Sequence, residues 1–392
     1  MPEAYIVTAC RTAGGRRGGR LSGWHPADLA GKILTALLER SGAAPEHVDD
    51  VIMGCVGQAG EQSNNIARNA VLAAHFPESV PATSIDRQCG SSQQALHFAA
   101  QAVMSGTMNV VIAAGVESMS RVPMNLPATL AEKHGFGTYM SPALRQRYPN
   151  VVFSQFAGAE ILAKKYHFSK DALDQYAYLS QQRAIDATCA HRFRDEIVPV
   201  EARDPAGVAL GSHDVDEGIR FNGSLQEIQN LKCLLEGGVL TAGSASQICD
   251  GASGVLIANE AGLKTIGATP RARVHHMTVL GHDPITMLEA PIPATRLALK
   301  KAGLKISNID LFEVNEAFAS VPLAWLQATD ADPGSVNANG GAIALGHPLG
   351  SSGTRLMTTL LHALEARSQR YGLQTMCEGG GMANVTIIER CV

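Results

Sequence analysis

This chain has little of what marks a secreted, membrane-bound or nucleic-acid-binding protein. Its eight cysteines in 392 residues form no CxxC and follow no regular spacing. That argues against a disulfide framework and predicts reduced thiols, most of them buried as small apolar side chains. No apolar run reaches membrane-spanning length, and the opening MPEAYIVTACRTAGG lacks a charged stretch followed by a cleavable apolar one. The end, IIERCV, is not a peroxisomal tripeptide of the SKL type, so the cytoplasm is the expected compartment. Charge is sparse, at 17% of residues and a net of -4, and the one basic cluster is Arg16, Arg17 and Arg20. Neither nucleic acid nor a membrane is therefore an expected partner. GxGxxG, Walker A, GxSxG and HExxH are absent, and the adjacent His275 and His276 point to opposite faces of an apparent strand. No metal and no redox cofactor is expected.

What is present is a compact α/β composition, with 45% hydrophobic residues and 39 glycines in a chain long enough for two or three packed units. Over roughly the first 120 residues short apolar strands alternate with amphipathic helices: AYIVTAC, ADLAGKILTALLERSG, DDVIMGCVGQ, NNIARNAVLAAH, ATSIDRQC and MNVVIAAGVES. Such alternation implies a mostly parallel sheet covered by helices. After Cys89, the residues Ala95, Phe98, Ala99, Ala102 and Val103 fall at helical spacing and Gly106 supplies the stop. Residues 121–244 differ in texture, interleaving proline, aromatics and charge, and read as an inserted, loop-rich domain. The α/β pattern resumes at about 245–270, completing the first half. From 271 to 392 it repeats, with HVDDVIMGCV matched by NIDLFEVNEAF and the Cys89–helix–VVIAAGVES order matched by His347–helix–LQTMCEGGG.

The chemistry concentrates in three segments of those halves. Cys89 in DRQCGSS and Cys377 in MCEGGG each lie at a strand end beside glycines, and His347 lies in the glycine-rich loop NGGAIALGHPLGSSG. Two thiols and one imidazole can supply a nucleophile and a separate acid/base, which is acyl-transfer chemistry. The helix that starts after Cys89 aims free N–H groups at the sulfur and is expected to favour thiolate. Cys55, with no helix directly behind it, reads as core packing. Asn315 in VNEAF is a candidate oxyanion-hole or water-holding donor, and Glu316 beside it a candidate structural orienter.

Taken together, TACRTAGGRRGG, GEQSNNIAR, DRQCGSS, AGVESMSR, TAGSASQICDGAS, VNEAFA, NGGAIALGHPLGSSG and MCEGGG make the chain resemble the thiolases from end to end. The resemblance implies an α/β fold of five layers, αβαβα, built from two similar halves with an inserted loop domain. It implies Cys89 as nucleophile, His347 as the imidazole that activates it, and Cys377 as the acid/base. Asn315, through a water, and His347 would hold one thioester oxygen, and the N–H groups of Cys89 and Gly379 would hold the other. Arg220 and Ser246 match positions that touch coenzyme A, and Phe318 would line the pantetheine tunnel. Coenzyme A and 3-ketoacyl-CoA are the implied substrates, with no cofactor besides, and a homodimer or homotetramer the implied assembly.

Several positions depart from short-chain thiolases. Ser154, Gln155 and Phe156 stand where those carry His-Met-Gly, Asp86 where Asn is usual, CGSS where CGSG or CSSG is usual, and Glu227 where some relatives have a CoA-contacting serine. The combination looks most like bacterial degradative thiolases that act on steroid-derived or other bulky acyl chains, with a biosynthetic acetoacetyl-CoA thiolase as the alternative. Ketoacyl synthases share the fold but place a histidine or asparagine where this chain has Cys377. A non-catalytic acyl-CoA-binding protein on this scaffold would be expected to lack Cys89, His347 or Cys377, and all three stand.

Overall fold

A computed structural model describes residues 2–391. Its strands are β1 (Tyr5–Arg11), β2 (Gly15–Arg16), β3 (Asp50–Gly54), β4 (Ala82–Ile85), β5 (Val110–Ser118), β6 (Val200–Arg203), β7 (Ala209–His213), β8 (Cys249–Ala258), β9 (Ala272–Gly281), β10 (Leu311–Val314), β11 (Tyr371–Glu378) and β12 (Met382–Arg390). Two runs repeat one pattern. In the first, β1–β8–β5–β3–β4, strand β8 is antiparallel to both β1 and β5, while β3 is parallel to β5 and β4. In the second, β9–β12–β11–β10, strand β12 is antiparallel to both β9 and β11, and β10 is parallel to β11. A parallel bridge from Phe312 to Val336 stands where the first run has β4. The runs are not separate sheets: Tyr5 and Ile6 of β1 pair with Arg273 and Ala272 of β9, a two-residue seam that joins them edge to edge.

Three apolar clusters separate the layers. One lies under the helices Pro26–Ser41 and Ile66–Ala73, and another under Pro291–Ala302 and Ser320–Thr329, on the outer faces. The third lies between the two runs, around Ser91–Ser105 and Ser352–Ala366. These two central helices touch because Gly353 has no side chain, for a Cβ there would lie 2.0 Å from the Gln93 nitrogen. The helix Ser91–Ser105 ends at Gly106, in the left-handed conformation that suits glycine. Ala95, Ala99 and Val103 are buried as their spacing predicts, whereas Phe98 is 39% exposed. Enclosure between the two runs buries Leu96 and Ala100 as well, so the apolar face is wider than a single stripe and rotated away from Phe98.

The segment 121–244 is more helical than its proline-rich texture suggests, with Lys170–Cys189 the longest helix and β6–β7 its hairpin. It is tied to the first strand by a buried ion cluster. Arg11 Nε donates to Glu196 at 2.6 Å and Arg11 Nη1 to Asp216 at 2.8 Å, while Asp216 also accepts from the Gly14 N–H at 2.7 Å. Removing one member would leave its partner's charge buried and unpaired. All eight cysteines are free, but only Cys10, Cys55, Cys249 and Cys377 are buried; Cys89, Cys233 and Cys391 are half-buried and Cys189 is exposed. The expectation that most are buried therefore fails, because Cys189, Cys233 and Cys391 fall at a helix end, in a loop and near the terminus rather than on core strands. No helix of the described residues is long and apolar enough to cross a membrane.

Candidate active site

Cys89 sits at a tight turn between β4 and the central helix Ser91–Ser105. Gln88 just before it has a φ of 50°, in the left-handed region that costs a non-glycine residue on the order of 1 kcal/mol or more. Local bonds hold the turn: Asp86 accepts from the Gln88 N–H at 2.6 Å, Ser91 Oγ accepts from the Arg87 N–H at 2.9 Å, and the Gly90 N–H donates to Arg87 O at 3.1 Å. An asparagine could serve as the same acceptor at Asp86, so that departure leaves the turn intact.

His347 enters from the second half, just before the other central helix. Its own N–H donates to Gln247 O at 3.0 Å, and its Nδ1 lies 2.5 Å from Ser352 Oγ. Ser352 spends its only proton on Pro348 O, at 2.9 Å, so its oxygen must accept from Nδ1–H. That fixes the tautomer and leaves Nε2 as the free base, 3.4 Å from Asn315 Nδ2. Asn315 is placed by its N–H to Thr375 O at 3.0 Å, on the strand that carries Cys377, and its buried Oδ1 has no partner. The unpaired oxygen is a ready acceptor for a water or a reacting group.

Glu316 is a structural orienter. Its carboxylate accepts from Tyr176 and Asn337 on one oxygen and from Ser180 and the Ile343 N–H on the other, at 2.7–3.1 Å. It thereby ties the inserted helix to the loop that presents His347. The N–H groups of Cys89 and Gly379 meet no acceptor among the described residues. Gln88 packs directly on Gly379, where a Cβ would lie 2.8 Å from its Oε1.

The electrostatics correct one expectation. Although Cys89 keeps some surface exposure, desolvation by the protein packed around its sulfur first, and Glu378 second, push its thiol up to about 12, outweighing the stabilisation offered by its own N–H. Cys377 is likewise raised well above the ordinary thiol value, by burial and then by Cys89. Burial, with Arg355 behind it, pushes His347 down to about 3. The resting site therefore holds two neutral thiols and a neutral imidazole, not a thiolate, because a buried anion costs more than a helix end returns. Cys55 is buried with its thiol raised by burial and Glu117, in keeping with core packing.

Residues 4–261 match the family model for the thiolase N-terminal domain, and residues 268–390 that for the thiolase C-terminal domain. The chain belongs to the thiolase family. It is 52% identical over 392 residues to the steroid 3-ketoacyl-CoA thiolase FadA6 of Mycobacterium tuberculosis, covering all of this chain and 95% of that protein. It is 43% identical over 397 residues to the 3-ketoacyl-CoA thiolases of Photorhabdus laumondii and Yersinia pestis, covering the whole of each. This thiolase is thus an enzyme, a CoA-dependent acyltransferase acting on 3-ketoacyl-CoA.

The positions expected to meet coenzyme A lie in different surroundings. Ser246 and Phe318 are neighbours, since Ala245 bridges Phe318 and the Ser246 N–H donates to Ala317 O at 3.0 Å. Arg220 is exposed and held through its backbone, its N–H donating to Gln181 Oε1 at 2.9 Å and its carbonyl accepting from the Gly223 N–H at 3.0 Å. Glu227 is engaged in its own helix, where it and Ser224 cap each other reciprocally. Ser154 caps the helix Gln155–Lys165, Gln155 reaches Met124 Sδ at 3.9 Å, and Phe156 meets Phe318 edge-on at 5.5 Å. His275 packs edge-on to Tyr371 while His276 meets Thr278, two separate environments.

Three functional residues of this thiolase went unweighed in the sequence. Ser352, in the serine pair of LGSSG, fixes the histidine tautomer. Glu117, in AGVES, accepts from the N–H groups of Val56, Gly57 and Gly350 and from Gln62, all at 2.8–2.9 Å, clamping the loop beyond His347. Glu378 stands between Cys377 and Gly379. For the two glutamates the available signal was a charged residue inside an otherwise small motif; for Ser352 there was none.

Proposed function

We propose that this thiolase works degradatively on bulky, steroid-like 3-ketoacyl-CoA through an acyl-enzyme on Cys89. The observation that carries the chemistry is the fixed tautomer of His347, which leaves Nε2 unprotonated beside Asn315 Nδ2 at 3.4 Å. Cys89 adds to the 3-keto carbon as its proton passes to Nε2, and the N–H groups of Cys89 and Gly379 receive the oxygen. The Cα–Cβ bond then breaks. The departing thioester carbon takes the proton of Cys377, its own oxygen held by Asn315, through a water, and His347. Coenzyme A enters, gives its thiol proton to Cys377, and attacks the acyl group, and Cys89 recovers its proton from His347. Each oxyanion donor is worth about 100- to 1000-fold in rate. Ser246 and Phe318 would border the pantetheine, with Arg220 meeting a phosphate.

The bulky-substrate reading is supported by the name of the 52% identical relative and by Phe156, an aromatic side chain in the segment where short-chain thiolases carry His-Met-Gly. Exposed apolar side chains of the same domain, Phe221 and Leu231, offer further contact area. Thiolysis of acetoacetyl-CoA beside long and branched 3-ketoacyl-CoA, with intact-mass detection of the adduct, tests both parts. A bulky chain should win by at least tenfold in kcat/KM; equal turnover of short linear and bulky substrates contradicts it. We also propose the domain division 1–120 with about 245–270, 121–244 and 271–392, a cytoplasmic location supported by eight free cysteines, and at least a dimer. Light scattering that returns one protomer mass would overturn the last.

A further inference from the structure

Glu378 is fully buried, and neither of its carboxyl oxygens meets a donor. A carboxylate so placed loses its hydration without replacement, so the group keeps its proton. It is also wedged against the nucleophile. A Cβ on Gly90, the residue after Cys89, would lie 2.0 Å from Glu378 Oε1 and 2.8 Å from Asn384 Nδ2. Asn384 donates to Gly90 O at 3.1 Å, which leaves its Oδ1 as an unpartnered acceptor beside the carboxyl.

We propose that Glu378 is a positioning residue for Cys89: its neutral carboxyl braces Gly90 and keeps negative charge away from the sulfur and the oxyanion N–H groups, and its ionisation suppresses acylation. The proposal rests on Cys89 being the nucleophile. Burial raises Glu378 to about 8, opposed only by Arg87, and Glu378 is in turn the largest charge acting against the Cys89 thiolate.

Charged and titratable groups face it from several elements. The loop before the helix brings Arg87, whose buried Nε has no partner and whose Nη1 reaches only Met382 Sδ at 3.9 Å, and Asp86, a carboxyl raised from 3.8 by burial. Cys89 lies near 12 and Cys377 well above the usual thiol value, while His347 and His97 lie near 3. Glu117, at the end of β5, is held by four donors, and β12 contributes the uncharged Met382 and Asn384. Burial raises Asp86 and Glu117 as well, but among the carboxyls of this cluster Glu378 is the one with no donor on either oxygen.

Single-turnover acylation of Cys89 by a 3-ketoacyl-CoA, without coenzyme A and read by quenched intact mass from pH 6.5 to 9.5, tests this on the full chain. In the wild type the rate should fall about tenfold from its plateau by pH 9, one unit above the Glu378 midpoint. Glu378→Gln should abolish that fall. Arg87→Met should move it to higher pH, because loss of the positive charge makes Glu378 harder to ionise, and this arm decides the matter if the first variant does not fold. An unchanged fall in Glu378→Gln, or a shift to lower pH in Arg87→Met, overturns the proposal while leaving the nucleophile in place. No Cys89 adduct at any pH in the wild type removes the nucleophile assignment and this proposal with it.

Discussion

Two glutamates, one at the end of β5 and one at the end of β11, reach across to a glycine at the start of the other half's central helix, and they are used in opposite ways. Glu117 receives the Gly350 N–H together with three further donors, a fully satisfied clamp. Glu378 presses on Gly90 with no donor at all. A buried carboxylate with four hydrogen bonds is a rigid strut, and one with none is a titrating group. The duplicated scaffold thus fixes the histidine loop through a hydrogen-bonded carboxyl on one side and sets the Cys89 turn against a carboxyl without donors on the other.

The largest effect that bears on this contrast comes from the thiols that the two glutamates flank. Cys89→Ala should abolish the acyl adduct and cut turnover by more than about 10,000-fold. Cys377→Ala should still acylate but not complete a cycle; intact acylation in the first variant would remove the nucleophile. Next is Gly90→Ala. Its methyl group meets Glu378 and should lower acylation about 100-fold through lost positioning, with partial recovery on adding Glu378→Ala. Absence of recovery would mean that the contact with Glu378 is not what the methyl group disturbs.

Smaller effects separate strut from titrating group. Glu117→Ala leaves four donors without their acceptor and should cost roughly 2–4 kcal/mol, lowering Tm by several degrees; an unchanged Tm would show that the loop is held without it. Ser352→Ala frees the histidine tautomer and should reduce kcat about tenfold with little change in KM, whereas a KM effect alone would place Ser352 in substrate binding. Smallest is the stability of Glu378→Gln. The folded-state value of about 8 lies above the usual 4.5, so the native state holds a proton that the unfolded chain releases, and stability falls as pH rises through that window. The variant should gain a few degrees in Tm over wild type at pH 8.5 and almost none at pH 4.5, and a constant difference would contradict the titration.

The contrast also shows what a sequence can disclose. Cys89 and Cys377 stood out because each sits beside glycines at the end of a strand, and His347 because it sits in a glycine-rich loop, and the repeat of strand, loop and helix pointed to two halves meeting at one site. The seam between β1 and β9 was illegible because two residue pairs leave no pattern. Phe98 was misread because a helix enclosed by the two runs of the sheet hides its polar positions as well as its apolar ones, as buried Gln93 and His97 attest. The thiolate expectation failed because the helix terminus is written in the sequence while the burial of Cys89 and its nearness to Glu378, 289 positions away in the chain, are not. Glu117 and Glu378 look alike as letters, and only the donors around each distinguish them.

The most direct measurement is the intact mass and peptide map of Cys377→Ala after brief exposure to a bulky 3-ketoacyl-CoA. A single acyl group on Cys89, shortened by two or more carbons and released slowly by coenzyme A, is the expected result. An unmodified Cys89, or an acyl group on any other residue, would contradict the nucleophile and acid/base assignment at the centre of this site.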